Sequence, residues 1–129
     1  MIAVHSPRAR NAALLLLRVA VASIFLYHGI KKFGMWMEPP AAMPMDMLII
    51  MRTLAIVEPL ASVLLILGIF TEGAATALMI VMIGAMRMKI ADGKPFSAWE
   101  FDWILFAANA AILAIGPGAW ILGKRKLPR

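Results

Sequence analysis

With 129 residues, 63% of them hydrophobic, and a mean hydropathy of +0.86, the chain is too apolar for a soluble domain and too short for a second one. It has no cysteine, which excludes disulfide scaffolding, thiolate metal sites and thiol redox chemistry by the chain itself. Its net charge of +6 comes without a basic-aromatic patch or a groove-reading helix, so nucleic acid is set aside and the charge is assigned to membrane-helix ends facing anionic lipid heads.

Four apolar runs follow one another, at about residues 12–30, 47–70, 73–90 and 101–122. Each approaches the roughly 20 residues that cross a bilayer as a helix. The expected fold is all-α, an integral membrane four-helix bundle that uses residues 1–129 as one domain. Before the first run stand Arg8 and Arg10, and Ala20-Val21-Ala22 has the small-x-small form of a cleavage site. The apolar run continues past it through Ile24, Phe25 and Leu26, so an uncleaved first helix is expected.

Within the first span, Arg18, Phe25 and Lys32 repeat at seven-residue spacing, a stripe expected to face the bundle. Tyr27, His28, Lys31 and Lys32 close the span. His28 and Lys32 are one turn apart, and a histidine there can exchange protons near neutral pH, although a lone histidine is more often an interfacial side chain. The following connection holds Trp36, Pro39, Pro40 and Pro44. Six of the eleven methionines fall between Met35 and Met51. The run Met43-x-Met45-x-Met47 offers thioethers suited to Cu(I), but methionine also fills apolar gaps, and with that reading no metal is expected.

The second span carries Arg52 and Glu58. Ionisable groups inside a bilayer are costly and mark function by default. Glu58 precedes Pro59, which has no N–H for the carbonyl of Ala55, and Ser62 follows one turn later on the same face. Such a carboxylate can hold a proton, a cation or a hydrogen-bonding head group, or else form a structural ion pair with Arg18, Arg52 or Arg87. A tight turn is expected at Thr71-Glu72-Gly73. The third span puts Thr76, Ile80, Ile83 and Arg87 on one face, with Lys89 near its end, and Arg87 is a possible partner of Glu58 or Glu100. After Asp92-Gly93-Lys94-Pro95, the fourth span aligns Asp102, Phe106 and Asn109, the last expected to hydrogen-bond between helices.

With four spans, both long connections lie on one side, together with Trp36, Trp99 and Trp103, while the termini, the tight turn and Trp120 lie on the other. Arg8, Arg10, Lys124, Arg125, Lys126 and Arg129 on the terminal side balance Lys31, Lys32, Arg52, Arg87, Lys89 and Lys94 on the loop side. Acidic Glu38, Asp46, Asp92, Glu100 and Asp102 offset the loop side, so both termini are expected in the cytoplasm.

The ordered pieces Arg18, Phe25-Leu26-Tyr27-His28-Gly29-Ile30-Lys31-Lys32-Phe33, Val57-Glu58-Pro59-Leu60, Leu65-Ile66-Leu67-Gly68-Ile69-Phe70-Thr71, Glu100 and Gly116-Pro117-Gly118 resemble the DoxX family of small four-span bacterial membrane proteins. The resemblance covers about residues 14–118. Two departures are Pro59, where the family has an apolar residue or glycine, and Ile121-Leu122-Gly123-Lys124, where it has a leucine-aspartate end. The resemblance implies a bacterial plasma-membrane protein related to the membrane subunit of a thiosulfate:quinone oxidoreductase. It implies quinone as cofactor, with Glu58, His28 and Arg18 at the quinone head and Arg87 and Lys89 drawing an anion to the mouth. The chain has no redox centre of its own in this reading, so partners are membrane lipids and other membrane or redox proteins. Catalytic residues are not assigned. The alternatives are a non-catalytic accessory subunit and a small transporter or lipid-binding protein built around Glu58.

Overall fold

A computed structural model describes residues 5–122. It contains α1 (Pro7–Lys32), the single turn α2 (Gly34–Met37), α3 (Met45–Leu67), α4 (Thr71–Ala91) and α5 (Phe96–Ile115). The four long helices each have the length and apolar character to cross a bilayer, and α2 continues the line of α1. No strand occurs among the described residues. The all-α four-helix membrane bundle therefore stands. Its most extensive packing is between α1 and α3 and between α4 and α5, with α3 joining the halves through α4.

Local chemistry sets the ends. Pro7 occupies the first turn of α1, where its missing N–H costs nothing, and the Ser6 hydroxyl accepts from the Ala9 N–H at 3.1 Å. Helix α3 ends at Leu67 rather than at residue 70, because Gly68 takes a left-handed conformation with φ 73°. The Ile69 N–H then bonds the Leu64 carbonyl at 3.0 Å and the Gly68 N–H bonds Leu65 at 3.3 Å, a Schellman motif. The tight turn is thus Gly68-Ile69-Phe70. Thr71, Glu72 and Gly73, expected in the turn, instead open α4.

The fourth span differs most from the sequence expectation of 101–122. Helix α5 starts at Phe96, directly after Pro95, and stops at Ile115. Gly116 and Gly118 have φ of 93° and 82° on either side of Pro117, which breaks the helix. Residues 116–122 turn back over the end of the bundle, where the Leu122 N–H bonds the Leu67 carbonyl at 2.8 Å.

The core runs between the helices through Val21, Phe25, Leu65, Leu78, Leu105 and Ile112. Many large apolar residues face outward instead, among them Leu16, Ile56, Leu60, Ile80 and Ile104, as the lipid-facing surface of a bundle requires. Helix order places both long connections at one end, with Trp36, Trp99 and Trp103, and Trp120 at the other. The basic residues Lys124, Arg125, Lys126 and Arg129 lie outside the described residues.

Candidate functional site: an ion pair inside the bundle

Glu58 stands about 20 Å along α3 from Met45 and about 14 Å from Leu67, at 1.5 Å per residue, so it is well inside the span. It is 2% exposed, as expected of an intramembrane carboxylate. Its partner is not an arginine. The Lys32 ammonium donates to both carboxylate oxygens, at 3.0 Å to Oε1 and 2.9 Å to Oε2.

Two features of the sequence bring this about. Helical Cα–Cβ bonds tilt toward the N-terminus, so a lysine in the last turn of α1 descends into the bundle. Gly29, one turn before it by its i, i+3 spacing, lets the two helices approach. A Cβ there would stand 2.5 Å from Pro59 Cδ and 3.1 Å from Glu58 Cβ. Pro59 lies within α3 and leaves the Ala55 carbonyl without its helical donor. The Ser62 hydroxyl donates to the Glu58 carbonyl at 2.6 Å. The stripe Arg18, Phe25, Lys32 does face the bundle: Arg18 and Phe25 are buried and Lys32 reaches Glu58.

The five residues implied by the resemblance, Glu58, His28, Arg18, Arg87 and Lys89, do not converge. Arg18 is 1% exposed but serves the opposite end of the bundle. Its Nε donates to the Leu65 carbonyl and its Nη2 to that of Ile66, each at 2.8 Å, and its Nη1 donates to Pro117 at 3.1 Å and Trp120 at 2.8 Å. A helix leaves its last four carbonyls without internal donors. Here Leu64 is served by the Schellman turn, Leu65 and Ile66 by Arg18, and Leu67 by Leu122. A guanidinium also suits the negative end of the helix dipole. Burial is thereby explained without a ligand.

His28 is exposed, its ring edge-on to Tyr27 at 5.6 Å, while the Lys31 ammonium lies 4.7 Å over the Tyr27 ring. These residues form an outward face of α1. Arg87 is exposed on α4 and makes no ion pair with Glu58 or Glu100. Arg52 turns to α2, where its Nε donates to the Met35 carbonyl at 2.9 Å.

A second ion pair was not foreseen. Lys89, in the last turn of α4, bonds Asp102 of α5 at 2.6 Å, with Asp102 buried. Like Lys32, it descends from a helix C-terminus onto a carboxylate of the helix packed beside it, at the same end of the bundle. Asp102 shares an inward face with Phe106 and Asn109, as the sequence spacing implies. Asn109 does not bridge helices: its Nδ2 donates to Leu105 within α5 at 2.9 Å, and its Oδ1 is buried without a partner. No cluster of three or more histidine, aspartate or glutamate side chains suited to a metal occurs among the described residues.

Four spanning helices that clasp charges internally define a multi-pass α-helical membrane protein. The DoxX family model matches residues 13–91, which cover most of α1 and all of α2, α3 and α4 with Arg18, Lys32 and Glu58, and the chain belongs to the DoxX family. Comparison with curated proteins and with solved structures gives no match.

Proposed function

We propose that the chain is the membrane-embedded subunit of a redox complex, with a quinone head group received at the Lys32–Glu58 pair. The observation that carries this reading is a buried carboxylate held within the span by a lysine that remains 24% exposed. A quinone presents carbonyl acceptors. An ammonium has three donors, and Lys32 uses its contacts to Glu58 for part of that capacity. The residues present therefore fit the group. Lys32 would hold a quinone carbonyl oxygen, and Glu58 would hold or pass a proton at its carboxylate. A bound quinone supplies reversible coupled electron and proton transfer, and the electron donor comes from a partner protein.

This reading leaves Arg18 as a structural residue and takes His28 out of the head-group contact, with Arg87 apart from the pair on the exposed face of α4. The complex belongs in a bacterial plasma membrane, with both termini cytoplasmic. Pairing of Lys32 and Lys89 with buried carboxylates supports that orientation, because it withdraws two cations from the loop-side surface.

The test is the quinone-to-protein ratio in gently solubilised, affinity-purified protein. Near-stoichiometric quinone that falls in Glu58→Gln and Lys32→Met, and persists in His28→Ala, is the expected result. The accessory-subunit reading is favoured by one observation: both ion pairs and all four Arg18 bonds join parts of this chain to each other. Quinone no richer than in bulk lipid, with a large complex co-purifying, would establish that reading instead.

A further inference from the structure

Away from the ion pair, α2 and α3 enclose a surface groove of about 330 Å³ lined by Trp36, Ile49, Arg52, Thr53, Ile56 and Val57. Its rim is held by two interlocked side chains. Arg52 donates Nε to the Met35 carbonyl, its guanidinium lies 5.0 Å from the centre of the Trp36 ring, and the Trp36 Nε1 donates to the Arg52 carbonyl at 3.3 Å. Only Nε of Arg52 is spent in this way. Its terminal amino groups make no hydrogen bond or ion pair to the described residues, and no carboxylate lines the groove.

We infer that this groove is a binding site for an anionic phospholipid, with the phosphate on Arg52 and an acyl chain against Ile56 and Val57. Charge complementarity selects the occupant. A fixed guanidinium with free paired N–H groups matches a phosphate, which a zwitterionic head group presents only with a cation beside it. Depth selects it as well. Trp36 marks the interface, where indole rings reside. Ile56 lies one turn beyond Arg52 into the span, about 6 Å deeper, and is half exposed on the outer surface. The groove thus passes from cationic to apolar in the same order as a phospholipid. The residues flanking Arg52 on α3 by one turn, Ile49 and Ile56, are both apolar and outward-facing. The inference does not rest on the quinone reading, which concerns the Lys32–Glu58 pair.

The test uses the full chain in micelles containing equal amounts of dioleoyl phosphatidylglycerol and dioleoyl phosphatidylcholine, with retained lipid identified by native mass spectrometry. Wild-type protein is expected to retain phosphatidylglycerol in preference. That preference falls about tenfold in Arg52→Gln, the loss of a charge-assisted contact, and is unchanged in Lys94→Gln, which removes an exposed loop cation at the same end. Ile56→Trp fills the groove without touching the Arg52–Met35 bond and is expected to expel the lipid while helicity and melting temperature stay at wild type. Equal retention of the two lipids overturns the inference. So does equal loss in Arg52→Gln and Lys94→Gln, which would mean diffuse attraction, or retained quinone that disappears in Arg52→Gln, which would make the groove the quinone site.

Discussion

Lys32 and Glu58 lie on different helices, yet the Lys32 ammonium reaches both carboxylate oxygens of Glu58, at 3.0 and 2.9 Å. The pair is the ion pair between α1 and α3 among the described residues, with Glu58 buried and Lys32 partly exposed. Removing one member of a buried pair leaves the other charge uncompensated, which costs about 3–5 kcal/mol, whereas replacing both with apolar groups of similar size is often neutral. Lys32→Met and Glu58→Gln are therefore expected to melt earlier than wild type, Lys32→Met more so because it strands a carboxylate. The double variant Lys32→Met/Glu58→Met should recover most of the loss. Thermal unfolding followed by circular dichroism in one detergent would check this, and additive losses in the double variant would show that the two side chains are not coupled.

Gly29 sets how closely those helices meet. A methyl group at this position would lie 2.5 Å from Pro59 Cδ and 2.6 Å from Cγ, and a proline ring cannot swing aside. Gly29→Ala is expected to cost about 1–3 kcal/mol as overpacking and to loosen the Lys32–Glu58 contact. Pro59→Ala in the same chain removes the obstructing ring and should return part of the stability. No difference between Gly29→Ala and wild type would show that α1 and α3 separate there without cost.

Arg18 closes the other end. Its four carbonyl partners belong to the last turn of α3 and to the segment after α5. Hydrogen bonds from charged donors contribute about 1.5–3 kcal/mol each, so Arg18→Met should destabilise the bundle by about 3 kcal/mol or more. Lysine keeps the charge but lacks the planar fork, and Arg18→Lys should recover little. Amide exchange resolved along the chain supplies the readout. Protection should drop first at Leu122 and the neighbouring residues 116–121, and uniform loss with no preference for that segment would contradict the clamp.

The bundle was legible because each span is a long apolar run, and because Arg18, Phe25 and Lys32 repeat on one face of α1. Glu58 also stood out, since a carboxylate amid an apolar run is costly wherever it points. The choice of its partner was not legible. Several basic residues competed, and Lys32 wins through the Gly29–Pro59 approach, which is a tertiary fact. The role of Arg18 was hidden for another reason: its partners are backbone carbonyls, which every residue possesses and no sequence motif advertises. His28 lies one position before the buried Gly29, and that step turns it outward. The expected fourth span of 101–122 runs through Gly116-Pro117-Gly118, where the positive φ values of both glycines reverse the chain after Ile115. The Trp36–Arg52 interlock joins an aromatic of the single turn α2 to a cation of α3, with no spacing rule to reveal it.

Sidedness can be read directly because the chain has no cysteine, so any introduced thiol is the only one. Ala42 lies between α2 and α3, Ser97 opens α5, and both are exposed at the long-connection end. Glu72, exposed at the start of α4, stands at the opposite end. In intact cells a membrane-impermeant maleimide should label Ala42→Cys and Ser97→Cys but leave Glu72→Cys unlabelled until the membrane is opened. The reverse pattern would keep the bundle and invert its orientation, placing the Lys32–Glu58 end toward the cytoplasm. Labelling of Ala42→Cys and Ser97→Cys from opposite sides would refute the four-span topology itself, because α3 and α4, which lie between the two sites, could not then both cross the membrane.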